Sequence, residues 1–296
     1  MQEKRIELLC ADGVRLAGDW WLPPSGVAAA TVVINAATGV LARYYHHYAR
    51  FLARQGFAVL TYDYRGIGQS RPADLRRVAY TWREWGEQDF DAALRHALDR
   101  DETGRLLVVG HSIGGFLPGY ASATGRIAGL LSIGGQFGYW GDYQLRMRLP
   151  LAIKWHLAMP AITAVLGYFP GKRLGWLEDL PKGVALGWGL QQGRAEQGLP
   201  PEKITRMCAG FAAFTAPILA VAMSDDAIAT PKAINRATGY YSAAPVTKVL
   251  LSPGDLGFDT VGHFNLFHAR HEHGFWKSSL DWLHEGRNPW PQRVYR

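Results

Sequence analysis

The N-terminal part of the chain begins with a hairpin pattern and then changes to buried strands. Residues 5–10 and 14–22 flank Asp12-Gly13, a strong turn signal, and predict an antiparallel hairpin. Residues 31–35 form a short run rich in β-branched side chains, which is typical of a parallel strand buried on both faces. The hairpin therefore leads into a sheet with a different pattern.

Strands and helices then alternate as far as residue 135. Helices are predicted over residues 45–55, 82–99 and 114–122, and strands over residues 57–62, 105–109 and 127–133. Such alternation predicts an α/β fold with a mostly parallel central sheet that carries helices on both faces.

This alternation stops between residues 136 and 216. The segment is helical in character, rich in Trp and Leu, and interrupted by Pro150, Pro160, Pro170 and Pro181. Strands return at residues 217–223 and 247–251, and a final amphipathic helix is predicted over residues 270–284. We therefore expect a core domain of residues 1–135 and 217–296, with a helical cap inserted over residues 136–216.

Composition and charge narrow the class of protein. Hydrophobic residues make up 48% of the 296 residues, enough for one large core or for a core plus a small second domain. The formal charge of +7 comes from cations scattered along the chain without a nucleic-acid motif, so we expect no nucleic-acid partner. The polar N-terminus does not resemble a signal peptide, and the longest apolar stretch, residues 155–169, is shorter than the roughly 18 residues that suggest a membrane span. A soluble, cytoplasmic protein without a transmembrane segment is expected, and a homodimer is left open.

The sequence indicates neither a metal nor a cofactor. Cys10 and Cys208 are far apart, and there is no Cys-x-x-Cys and no His-x-x-x-His with a suitable glutamate. Gly66-x-Gly68 lacks the third glycine of a dinucleotide-binding loop.

The sharpest chemical signal is the Gly-x-Ser-x-Gly motif at residues 110–114. It comes directly after a predicted strand and before a predicted helix, so the turn around Ser112 must be very tight. Gly110 and Gly114 allow the neighbouring chain to approach closely, and a strained serine there is presented as a nucleophile.

A serine hydroxyl needs a base within hydrogen-bond reach, and after such a turn the acid and the histidine come later in the chain. Asp225 and Asp226 follow the strand at residues 217–223; Asp226 is the preferred acid because Ala227-Ile228 would direct its carboxylate inward, and Asp225 is the alternative. Of the ten histidines, His263 is the preferred base, since it lies in a loop after the last strand behind Gly262.

Two backbone amides are expected to stabilise an oxyanion. One is that of Ile113, directly after the nucleophile, and the other is that of Ala37, with Thr38 as the next choice. Thr38, His111, Trp140 and Phe264 are the candidate substrate-binding residues. Four cap tryptophans together predict an apolar acyl pocket, although packing is the favoured role for each one singly: Trp140, Trp155, Trp176 and Trp188.

These motifs resemble the α/β-hydrolase superfamily over nearly the whole chain. Residues 37–40 (Ala-Thr-Gly-Val) and 179–186 are similar to a bacterial group described only as α/β hydrolases, with esterases, lysophospholipase-like enzymes and serine peptidases as more distant relatives. Many members have His-Gly where this chain has Asn35-Ala36. The resemblance implies a Ser-His-Asp hydrolase but leaves the substrate open, because one fold carries many chemistries.

Three functions remain in view. The first is hydrolysis of a small-molecule carboxylic ester through an acyl-enzyme formed on Ser112. The second uses the same triad as an amidase, peptidase, thioesterase or acyltransferase. The third is a non-catalytic binding protein, which the presence of all three triad residue types disfavours.

Overall fold

The computed structural model describes residues 2–296 and is built around a mixed sheet of eight strands. In chain order the strands are β1 (Gln2–Leu9), β2 (Arg15–Leu22), β3 (Ala30–Asn35), β4 (Phe57–Tyr62), β5 (Leu106–His111), β6 (Ile127–Ile133), β7 (Tyr168–Phe169), β8 (Leu180–Pro181), β9 (Ile218–Met223) and β10 (Val246–Leu251). The main sheet has the order β1-β2-β4-β3-β5-β6-β9-β10, and β7 pairs only with β8. In the main sheet β4, β3, β5, β6, β9 and β10 are parallel, whereas β2 pairs antiparallel with both β1 and β4, which confirms the predicted fold class.

Helices cover the sheet and form the segment between β6 and β9. They are α1 (His46–Arg54), α2 (82–98), α3 (Arg148–Leu166), α4 (Gly171–Leu174), α5 (Lys182–Gly189), α6 (Pro201–Ala213), α7 (Pro231–Thr238) and α8 (272–285). Within α2, α3 and α8, a stretch of wider π-type turns continues the helix.

The centre of the sheet explains the sequence pattern there. Every residue of β3, β4 and β5 is buried, because helices cover both faces of these strands. At the edge, β1 is mostly exposed and carries charged side chains such as Lys4 and Arg5, which discourage pairing with another strand. The central strands therefore form a rigid carboxyl edge of the sheet. The candidate catalytic loops begin at that edge.

The predicted helix over residues 114–122 is wrong. The chain instead forms two short 3-10 turns, Ser112–Gly115 and Leu117–Tyr120. Pro118 offers no backbone N–H, and Gly119 lies so close to the ring of Phe211 that a Cβ there would be 2.3 Å from it. Close packing against the helix α6 therefore replaces a regular helix, and no long helix dipole points at Ser112.

Two prolines expected to interrupt the cap lie inside one helix. The helix α3 includes Pro150 in its first turn, where the missing N–H costs little, and continues through Pro160. The π-type turns at Ile153–Ala158 come directly before Pro160 and relieve the clash that its ring would make in a regular helix. The apolar helix is consequently longer than residues 155–169 suggested, and by length and composition alone it is able to cross a membrane. The boundaries of the cap stay a prediction.

Candidate active site

The turn after β5 has the strained geometry that its sequence predicts. Ser112 has a φ of 55°, the left-handed region, and within residues 2–296 no other residue apart from glycine has a positive φ. A Cβ on Gly110 would lie 2.4 Å from the carbonyl oxygen of Gly114, and one on Gly114 would lie 2.4 Å from that of Asn35. Only glycine fits at these two positions, so the loop after β3 and the turn at Ser112 pack directly against each other.

A continuous line of hydrogen bonds joins the three residues predicted as a triad. The Oγ of Ser112 is 2.9 Å from Nε2 of His263, and Nδ1 of His263 is 2.6 Å from Oδ2 of Asp226. The chain brings these residues together from the loops after β5, β10 and β9, and the side chains of His263 and Asp226 are almost fully buried. The hydroxyl thus has a base within reach, and the carboxylate fixes the tautomer with the proton on Nδ1.

The neighbouring aspartates have different partners. The other oxygen of Asp226 accepts the amides of Ile228 and Ala229, at 2.8 and 2.9 Å. Burial raises the pKa of Asp226, but the charge and hydrogen bond of His263 and these two amides outweigh burial, so the pKa lies below its ordinary value. Asp226 therefore faces the imidazole as a carboxylate.

Asp225 points instead at the backbone of the histidine loop. Its Oδ2 accepts the amides of Val261 and Gly262, at 2.7 and 2.9 Å. These bonds hold the two residues that come directly before His263, and Gly262 turns the chain there with a φ of 65°. Asp225 thus positions the loop that carries the base.

Sequence reasoning missed Gln136, which also contacts the serine. Its Nε2 donates to Oγ of Ser112 at 3.0 Å, and its Oε1 accepts the amide of Gly138, which fixes which end of the side chain faces the hydroxyl. Gln136 is buried in the loop after β6, next to β5 in the sheet. Its position at the carboxyl edge of the sheet is the signal that could have identified Gln136 as a site residue. The sequence pattern instead predicts residue 136 as the first residue of the cap.

The predicted oxyanion donors need one correction. The amide of Ala37 already donates to the phenol oxygen of Tyr45 at 2.8 Å, so it is not free for an oxyanion in this conformation. Thr38, the next choice, occupies the second position of a turn in which the amide of Val40 donates to the carbonyl of Ala37 at 3.2 Å. Ile113 and Thr38 both line the cavity at Ser112.

His111 lies beneath the site and does not line the cavity, which corrects its assignment as a substrate-binding residue. It is completely buried; its Nδ1 accepts the hydroxyl of Tyr45, and its Nε2 donates to the carbonyl of His263, both at 2.8 Å. Burial and the neighbouring His263 lower the pKa of His111 to about 3, so it is neutral. It connects the loop at Ala37 with the loop that carries the base.

A cavity of about 200 Å³ opens at the serine. Its wall includes Thr38 and Phe264, two of the candidate substrate-binding residues, together with cap tryptophans. The tryptophans on this wall are Trp155, Trp176 and Trp188. Trp140 is not among the lining residues and is 44% exposed, because it lies in a turn beside Tyr139 on the surface. Three of the four cap tryptophans therefore line the cavity at Ser112, and the acyl pocket stays a prediction.

One lysine is the only acidic or basic side chain on this wall apart from His263. The ammonium of Lys154 lies 4.4 Å from the ring centre of Trp155 and 4.6 Å from that of Trp176. Burial lowers the pKa of Lys154. Among residues 2–296, no cluster of His, Cys, Asp and Glu side chains is suited to hold a metal ion.

Comparison with known proteins gives one family match and several shared folds. The sequence model of the family described as serine aminopeptidase, S33, matches residues 26–165. The structure of DcsB in complex with its substrate analogue is 14% identical with a TM-score of 0.65, over 97% of this chain and 100% of that one. No curated protein sequence matches the chain significantly.

Two solved esterases share the fold. The esterase domain of a Rhodothermus marinus protein is 19% identical, with a TM-score of 0.56 over 94% of this chain and 98% of that one. A thermophilic esterase from Thermogutta terrifontis is 16% identical, with a TM-score of 0.60 over 95% and 98%. The sheet order, the sharp turn at Ser112 and these matches together show that the chain has the α/β-hydrolase fold.

Proposed function

We propose that the chain is a serine hydrolase that cleaves carboxylic esters with an apolar acyl group. The observation that carries this proposal is the unbroken line from the hydroxyl of Ser112 through His263 to Asp226, which opens onto an apolar cavity. The match of residues 26–165 to a family of hydrolases and the fold shared with esterases support the reaction class, and the cavity wall supports the substrate class.

The first half of the reaction acylates the serine. Oγ of Ser112 attacks the ester carbonyl carbon while its proton passes to Nε2 of His263, and Asp226 stabilises the imidazolium that forms. The amides of Ile113 and Thr38 are the proposed donors to the negatively charged oxygen. His263 then gives its proton to the alcohol oxygen as the bond between carbon and that oxygen breaks.

The second half releases the acid. His263 takes a proton from water, whose oxygen attacks the acyl carbon, and the proton then returns to Oγ of Ser112 as the acyl–oxygen bond breaks. The amide of Gln136 orients the resting hydroxyl, since it donates to Oγ while the hydroxyl proton is directed at His263.

An aminopeptidase is the second candidate, because the matching family model carries that description. A free amino terminus in the cavity would need a carboxylate partner, but among the described residues the lining includes no Asp or Glu and presents Lys154 instead. The charge on the wall therefore favours an ester without a cationic group close to the scissile bond.

Kinetics with matched substrates distinguish the two. Nitrophenyl esters of increasing acyl length, acyl thioesters and aminoacyl anilides would be compared, with Ser112→Ala as the control. The proposal predicts that kcat/KM for esters rises with acyl length until the cavity is filled, and that anilide cleavage stays at the level of the control. Efficient anilide cleavage with weak ester cleavage would assign the chain to the peptidases.

A further inference from the structure

The helix α3 has an outer face of large apolar side chains that the proposed chemistry does not use. Leu145 precedes the helix and is 77% exposed; within it Leu149 is 71% and Leu157 64% exposed. Exposed side chains recur every fourth residue, and the members of this outer face are Leu145, Leu149, Ile153, Leu157, Ala161 and Val165. Apolar side chains exposed in one continuous stripe mark an interaction site.

The stripe stays on one side because of the π-type turns. A spacing of four residues drifts around a regular helix, which has 3.6 residues per turn. The wider turns at Ile153–Ala158 reduce that drift in the middle of α3. The local geometry therefore aligns these side chains in one direction.

The segment of chain that carries the stripe has charged residues of a single sign. Between residues 143 and 177 the sequence contains no Asp or Glu, and its basic residues are Arg146, Arg148, Lys154, Lys172 and Arg173. Arg146 lies beside the stripe, and Arg173 is exposed on the next helix, α4. Lys172, also on α4, is paired with Glu178 at 2.9 Å. Apolar side chains beside exposed cations complement the surface of an anionic lipid bilayer.

The opposite face of α3 packs against the rest of the protein. Trp155, Met159 and Thr163 are buried in the cap, and Leu151, Lys154 and Trp155 line the catalytic cavity. Although α3 has the length and composition of a membrane span, only 17% of its apolar window is buried, and that buried side is bound to the protein. One face of α3 thus lines the cavity, while the other face carries the exposed stripe.

We propose that α3 docks the protein on anionic lipid bilayers, with the stripe in the interfacial layer and the basic residues at the headgroups. This docking does not depend on the proposed ester hydrolysis. It would place the wall of the cavity next to the lipid surface.

Vesicle flotation tests this proposal with the full chain carrying Ser112→Ala, so that no lipid is hydrolysed. Phosphatidylcholine vesicles with and without phosphatidylglycerol serve as the probes, at low and at high salt. We expect binding to the anionic vesicles, weakened by salt. Adding Leu149→Glu and Leu157→Glu together should reduce the partition coefficient by at least about tenfold, and Arg146→Gln with Arg173→Gln by about thirtyfold.

The matched control is Val27→Glu, a similarly exposed position (78%) outside the cap, and it should bind like the parent. In the active background, each variant should hydrolyse a soluble short ester and melt like the wild type, because the altered side chains line no cavity wall. Equal binding by the Leu→Glu variant, or equal binding to neutral and anionic vesicles, would overturn the proposal. So would a dimer in light scattering that the same Leu→Glu pair converts to monomer without any vesicle binding.

Discussion

Among single residues, two adjacent aspartates have different roles because their side chains point in different directions. Asp226 faces His263, whereas Asp225 holds the backbone amides of Val261 and Gly262. The sequence left both as candidates, and Ala227-Ile228 favoured the one that the structure places on the imidazole. The apolar residues that follow the aspartates therefore indicate which of the two side chains points inward.

Exchanging each aspartate for asparagine separates the two roles. Asp226→Asn should lower kcat about 10⁴-fold, because the amide favours the wrong tautomer of His263. Asp225→Asn should lower kcat by only about a hundredfold through misplacement of the loop, and should cost about 1–3 kcal/mol of unfolding free energy. Steady-state kinetics and urea unfolding of both variants are the measurements, and a larger loss of kcat in Asp225→Asn would reverse the assignment.

His111 makes stability depend on pH. Its pKa in the folded chain is about 3, below the ordinary value of 6.5, so between these values the unfolded chain binds a proton that the folded chain does not. Stability is therefore lost as pH falls from about 6.5 towards 3, at up to about 1.4 kcal/mol per pH unit from this residue. His111→Gln should show a shallower decline in urea unfolding across that range; the same slope in both proteins would contradict the assignment.

At the scale of elements, strands were predictable and short turns were not. The runs that became β3, β4 and β5 are buried on both faces, so their composition alone identified them. The helix expected after Ser112 failed because the contacts of Gly114 and Gly119 with other parts of the chain are tertiary and leave no local periodic signal. The length of α3 was underestimated because π-type turns accommodate Pro160, a residue that would end an isolated helix.

Gly114 lies where the turn at Ser112 contacts the loop after β3, so a larger side chain there should disturb both segments. Gly114→Ala would place a methyl group 2.4 Å from the carbonyl oxygen of Asn35, in rigid backbone. We expect a loss of about 1–3 kcal/mol in unfolding free energy together with a large fall in kcat/KM, because the Thr38 amide and Ser112 move apart. Gly274→Ala is the matched control, since its Cβ meets no atom within 4 Å and the residue is helical. Equal stability and activity in the two variants would show that the loops are not in close contact.

At the scale of the whole molecule, the sheet explains why distant residues were found from sequence. Ser112, Asp226 and His263 each follow a strand whose carboxyl end lies at the same edge, so strand assignment was enough to bring them together. Gln136 and Tyr45 were missed because a glutamine and a tyrosine carry no motif, and their roles depend on contacts across loops. Trp140 was misassigned because composition does not tell which face of a cap a tryptophan occupies.

The proposed reaction requires that one serine, held in a strained turn, is activated by a histidine from a distant loop. Labelling the folded protein with a fluorophosphonate and mapping the adduct by mass spectrometry tests it most directly. We predict a single adduct on Ser112, absent in Ser112→Ala and strongly slowed in His263→Ala. An adduct on a different residue, or no adduct on folded wild-type protein, would contradict the account.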